Sequence, residues 1–133
     1  MVGLNDLKKA YRGRQFTASA FRSELEGLVR TTQQAAGEQC VVVLPALPVH
    51  RAPVFDQMWP LQPFLHGLAA LWDDQKRSLA HSLRRVRFVQ NAEGTEWWAS
   101  ARYWAADGIH PNDEGYRIWG EHIAQGVLDG GTG

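Results

Sequence analysis

Apolar residues recur along this 133-residue chain with two different periods, and the alternation between them predicts its architecture. Over residues 16–36, Phe21, Leu25, Leu28 and Val29 fall at helical spacing, with Arg22, Glu26, Arg30 and Gln33 around the other side. That pattern predicts an amphipathic helix, ending near Gly37, where a left-handed cap is easily formed. The helical period then stops. Cys40-Val41-Val42-Val43-Leu44 is an unbroken, mostly β-branched run closed by Pro45, as expected of a strand buried on both faces in a parallel sheet. Helical spacing resumes at Pro63, whose missing N–H is harmless in a first turn. Phe64, Leu68, Leu71, Gln75 and Leu79 then share a face to about Leu83. Residues 86–89 predict a second strand, nearer a sheet edge because Arg87 interrupts it. A last helix begins at Asn112 or Asp113, whose short polar side chains can cap free N–H groups. It carries Tyr116, Trp119, Ile123 and Val127 on one face, ahead of a frayed tail with Gly130, Gly131 and Gly133.

The connections differ in kind. Residues 45–63 contain five prolines and no glycine, predicting a stiff, irregular segment after the carboxyl end of the first strand, where α/β folds commonly build ligand-site walls. Residues 91–107 are rich in aromatics (Trp97, Trp98, Tyr103, Trp104) without a clean period, which suggests a long loop with a helical turn. With no repeat and no linker, helix, strand, helix, strand and helix read as one α/β domain over residues 1–133.

Composition narrows the function classes. At 44% hydrophobic and 11% aromatic, the chain can bury one moderate core. Its 14 Lys plus Arg balance 14 Asp plus Glu, so no global field draws it to nucleic acid or an anionic membrane, and a neutral small molecule is the expected partner. The cluster Arg84, Arg85 and Arg87 could be read as a phosphate-binding patch, but Asp73 and Asp74 lie nearby in sequence and no aromatics interleave with it, so a solvated face is the favoured reading. The single cysteine, Cys40, excludes an internal disulfide framework and reads as a buried strand thiol. No apolar run approaches the roughly 20 residues needed to span a bilayer. The first six residues show no basic stretch leading into an apolar one, so an unexported, cytoplasmic protein is expected. Oligomeric state is left open.

Two short constellations carry candidate chemistry. In Asp107-Gly108-Ile109-His110-Pro111 a carboxylate precedes an imidazole by three residues, with a glycine between them that can bend the loop. Pro111 disfavours helical backbone at His110 and so restricts where its ring points. Asp107 could accept the Nδ1–H of the ring, leaving Nε2 free to take a proton from a nucleophile. The alternative is that Asp107 caps a turn and His110 is a half-buried loop residue. In Gly3-Leu4-Asn5-Asp6 the asparagine amide could donate to a developing oxyanion, a contact worth ~3–4 kcal/mol in acyl-transfer enzymes. The alternative there is an Asn-Asp turn near a chain end.

Together and in this order, Gly3-Leu4-Asn5-Asp6 and Asp107-Gly108-Ile109-His110-Pro111 resemble the third and fifth blocks of the SGNH (GDSL-like) hydrolases. The resemblance extends along the whole chain through the order of helix, valine-rich strand, proline-rich loop, helix, strand and closing helix. It implies the last two parallel strands of a flavodoxin-like, three-layer α/β/α fold ordered 2-1-3-4-5. It also implies a Ser-His-Asp mechanism acting on carboxylic esters without cofactor or metal. Asp107 would be the triad acid, His110 the triad base and Asn5 the oxyanion-hole donor, with Gly3 and Asp6 shaping the Asn5 loop.

The chain departs from the family where the nucleophile belongs. The first block, Gly-Asp-Ser, and the glycine donor of the second have no counterpart, and Ser19, Ser23, Ser78, Ser82 and Ser100 lie in helical or loop contexts. The expectation is therefore a C-terminal portion with an unpaired edge on its valine-rich strand and negligible esterase activity alone. Two other readings stand beside it. One is a metal site drawing on Asp107, His110 and Asp113, although no histidine pair has the close spacing of a metalloprotease helix. The other is a non-catalytic binding or scaffold protein using Trp97, Trp98 and Trp104 as an apolar surface, residues that could equally serve as core or acyl pocket.

Overall fold

The computed structural model describes residues 17–37, 39–48, 52–91 and 96–129. Helix α1 (Ala18–Ala36) starts at Thr17, whose hydroxyl accepts the amide of Ala20 at 3.1 Å, and ends at Gly37 with φ +91°. Strand β1 (Val42–Pro45) leads through residues 46–48, and later a 3₁₀ turn (Pro53–Phe55), to α2 (Leu61–Ser82). Strand β2 (Val86–Val89) is followed by 3₁₀ turns at Glu96–Ala99 and Ala101–Tyr103, then by α3 (Asp113–Leu128), capped by Asn112.

The strands pair in parallel, Val42 opposite Val86 and Pro45 opposite Val89. Parallel neighbours need a long crossover, which α2 supplies. Side chains alternate across the strands, and this divides the packing into layers. Val86 and Phe88 turn to one face and join Leu44, Phe21, Leu25 and Val29 of α1, and Trp72 and Leu79 of α2. Arg87 and Val89 turn to the other. There the Arg87 guanidinium donates to the Val127 carbonyl, and a Cβ at Gly126 would lie 2.7 Å from Cγ1 of Val89. Glycine at 126 thus lets α3 settle close on β2. The result is an α/β fold with α1 and α2 on one face of a two-stranded parallel sheet and α3 on the other.

Three details of burial differ from the pattern along the chain. The buried line of α2 is Ala69, Trp72, Lys76 and Leu79, while Phe64 and Leu71 are 51% and 49% exposed. The apolar stripe is broad enough to allow either phase, and stacking of Trp72 on Phe21, with centroids 5.2 Å apart, settles it. Leu28 is exposed for a related reason, since Phe21, Leu25 and Val29 fill the interface of α1. In β1 only Leu44 is buried, and Cys40 is half-buried ahead of the strand. Among the described residues β1 pairs with β2 alone, so one of its edges lacks the neighbour that burial on both faces requires.

Candidate active site

The loop carrying Asp107 and His110 is closed at its base like a hairpin. Trp104 and Pro111 form an antiparallel bridge. The amide of Ala105 donates to the His110 carbonyl at 2.8 Å, and that of Asn112 to the Tyr103 carbonyl at 2.9 Å. Beneath it, Trp98, Trp104 and Trp119 form a second core with Ala52, flanked by Val54, Phe55 and Ile123. Bulky rings spread over a loop, a turn and α3 give a short irregular segment a rigid floor. At the tip, Gly108 has φ +64°, which a residue with a Cβ adopts at a cost. Its carbonyl accepts the amide of Val54 at 3.3 Å, so the proline-rich segment after β1 lies against the loop.

Asp107 performs two tasks with two oxygens. Oδ1 accepts the backbone amides of Ile109 at 2.9 Å and of His110 at 3.0 Å, while Oδ2 lies 2.6 Å from His110 Nδ1. The turn-capping reading and the ring-orienting reading therefore describe the same carboxylate. The His110 amide, the His110 ring and the Ile109 amide, in that order of effect, hold the Asp107 carboxyl well below the usual carboxylate range. Both side chains are about half exposed, 48% for Asp107 and 54% for His110. With Nδ1 committed to Asp107, Nε2 is the ring nitrogen free to exchange a proton.

Two residues outside the Asp-x-x-His spacing shape this loop. Asn112 Oδ1 accepts the Gly115 amide at 3.0 Å, capping α3, while Nδ2 donates to the Arg102 carbonyl at 2.7 Å and to that of Trp104 at 3.4 Å. One amide group thus fastens the helix start to the first arm of the hairpin. Gly115 makes room for it: a Cβ there would stand 2.3 Å from the Tyr103 carbonyl oxygen and 2.9 Å from Pro111 Cβ. The sequence signal was a glycine in the first turn of a helix, a position where it is disfavoured by ~1 kcal/mol unless something demands it.

The other candidates are placed as follows. Gly3, Asn5 and Asp6 lie outside the described residues. Ser19 and Ser23 are on α1, Ser78 and Ser82 on α2, and Ser100 between two 3₁₀ turns. The Ser78 hydroxyl accepts from the Arg22 guanidinium, and that of Ser82 donates to the Leu79 carbonyl at 3.3 Å. None of the five sits on a strand-to-helix elbow. Trp98 and Trp104 are core residues rather than a surface patch. Among the described residues no three His, Cys, Asp or Glu side chains converge as metal ligands, and no helix is long and apolar enough to cross a membrane.

Residues 1–118 match the model of the GDSL-like Lipase/Acylhydrolase family. No curated protein and no solved structure matches the chain.

Proposed function

The chain belongs to the GDSL-like lipase/acylhydrolase family, and on that premise we propose that it carries the acid-base half of a carboxylic ester hydrolase. The observation supporting this is the 2.6 Å contact between Asp107 Oδ2 and His110 Nδ1, made while Oδ1 fixes the backbone of the same histidine. A base held at ring and backbone by one carboxylate has its tautomer and direction set before substrate arrives.

In this reading His110 Nε2 takes the proton of a serine hydroxyl as its oxygen attacks the ester carbonyl, and Asp107 stabilises the imidazolium. The Asn5 amide donates to the oxyanion, with Gly3 and Asp6 shaping its loop. Collapse of the tetrahedral intermediate expels the alcohol, which receives the proton from His110. Water, activated by the same nitrogen, then releases the carboxylic acid. The nucleophile is a serine other than the five in this chain, supplied by a Gly-Asp-Ser segment, and residues 1–133 form the C-terminal part of that hydrolase domain. Without such a serine, acid-base groups have nothing to activate, and turnover by these 133 residues alone is negligible.

The test uses a short acyl ester and a fluorophosphonate probe. The chain alone should neither turn over the ester above background nor be labelled. Joined to a Gly-Asp-Ser segment, it should do both, with His110→Ala and Asp107→Ala abolishing turnover and Asn5→Ala slowing it. Labelling of any of the five serines, or unchanged turnover after His110→Ala, would overturn the assignment.

A further inference from the structure

Arg84 and Arg85 stand on the turn between α2 and β2, at the amino ends of the strands, and the acid-base chemistry makes no use of them. With Arg30, Gln33, Gln34 and Gln39 they line a groove of about 460 Å³, within the size range of small-molecule sites. No carboxylate is among the described lining residues.

Asp73 and Asp74, the acids whose nearness in sequence suggests an ordinary solvated face, are engaged elsewhere. Asp73 is bound to Lys76 at 3.0 Å and Asp74 to Arg77 at 2.7 Å, while Arg87 leaves the cluster for the Val127 carbonyl. Within the groove, Arg30 has its own counter-ion in Glu26 at 2.7 Å. The Arg85 guanidinium donates at 3.2 Å to the Gln39 carbonyl, a neutral acceptor, and the Arg84 side chain has no hydrogen-bond or ion-pair partner among the described residues. Among the described residues, two cations therefore face the groove without a counter-ion. The carboxyl ends of α1 and α2 nearby bring roughly half a negative charge each, less than the two guanidinium groups carry.

The turn that displays them is fixed. Gln33 Nε2 donates to the Arg84 carbonyl at 2.9 Å, and the Val42 amide donates to the Arg85 carbonyl at 2.9 Å. Arg85 has φ +59°, a left-handed conformation that glycine or asparagine would adopt with less strain. A strained arginine beside an unpaired one, on a hydrogen-bonded turn over a polar groove, is the arrangement expected where guanidinium groups are kept for recognition.

We propose that this groove binds a small phosphorylated molecule, with Arg84 and Arg85 on the phosphate oxygens and the glutamine amides on the remainder. The balanced charge of the whole chain and the compact extent of the groove favour a small anion over nucleic acid, which needs an extended basic surface.

Calorimetric titration of the full chain with inorganic pyrophosphate tests the proposal. Saturable one-site binding is expected, weakening with added salt. Arg84→Gln, which breaks no contact among the described residues, should lower affinity by about tenfold or more. Arg85→Gly should do the same while relaxing the left-handed turn, and circular dichroism should report an intact fold. Arg117→Gln, whose paired side chain lies outside the groove, should bind as the parent does. Absence of saturable binding, full affinity in both groove variants, or an equal loss in Arg117→Gln would overturn it.

Discussion

Lys76 and Asp73 form an ion pair inside the protein: Nζ lies 3.0 Å from Oδ1, with the lysine side chain 2% exposed and the aspartate 14%. The same ammonium donates to the Pro45 carbonyl at 2.8 Å, and the carboxylate accepts the Leu47 amide at 3.3 Å. One turn of α2 thereby holds the chain as it leaves β1. Burial outweighs the mutual attraction for both partners, pushing Asp73 above its usual value and Lys76 below. The pair therefore positions the backbone after β1 more than it stabilises the fold.

Removing one partner should expose that balance. Asp73→Ala strands a buried ammonium and should cost about 3–5 kcal/mol in chemical denaturation. Lys76→Met should cost less, because Asp73 keeps some solvent contact and can bind a proton. The double variant should fall short of the sum of the singles; strict additivity would show that the two groups do not interact.

Gly115→Ala should destabilise the protein by about 1–3 kcal/mol, since the added methyl meets a backbone carbonyl that cannot swing aside like a side-chain tip. Amide resonances of residues 103–112 should shift along with it. Unperturbed spectra there would separate the helix start from the hairpin carrying His110.

Asp107 should stay ionised well below the ordinary carboxylate pKa of about 3.9. Its folded-state value is depressed, so its contribution to stability is complete above the unfolded value and is lost only as pH falls through the lower, folded one. Carbon-detected titration of the carboxyl, with the Ile109 and His110 amides following the same curve, measures this. An ordinary aspartate titration would mean that the carboxylate does not cap the loop.

Trp72→Ala should cost about 3–5 kcal/mol through the cavity left between α1 and α2. Combined with Phe21→Ala, the loss should be smaller than the sum, because the two rings are each other's packing surface.

Residue spacing alone determined the order and kind of the elements. Residues 86–89 form β2 as Val86, Phe88 and Val89 indicate, α1 ends at Ala36 before Gly37, and α3 starts at Asp113 behind its asparagine cap. These features depend on propensity, periodicity and capping within a few residues. The closeness of Asp107 to His110 is local in the same sense, since three residues and a glycine suffice to fold the carboxylate onto the ring. Tertiary structure decided what local pattern leaves degenerate. Trp72 rather than Phe64 turned inward on α2 because Phe21 stands opposite, and position 115 has no room for a Cβ because the Tyr103 carbonyl lies over it. Asp73 and Asp74, which seem in sequence to balance Arg84 and Arg85, are taken by Lys76 and Arg77. Each outcome depends on which groups the fold brings within a few ångströms, where contact and charge energies fall too steeply with distance for sequence proximity to stand in for them.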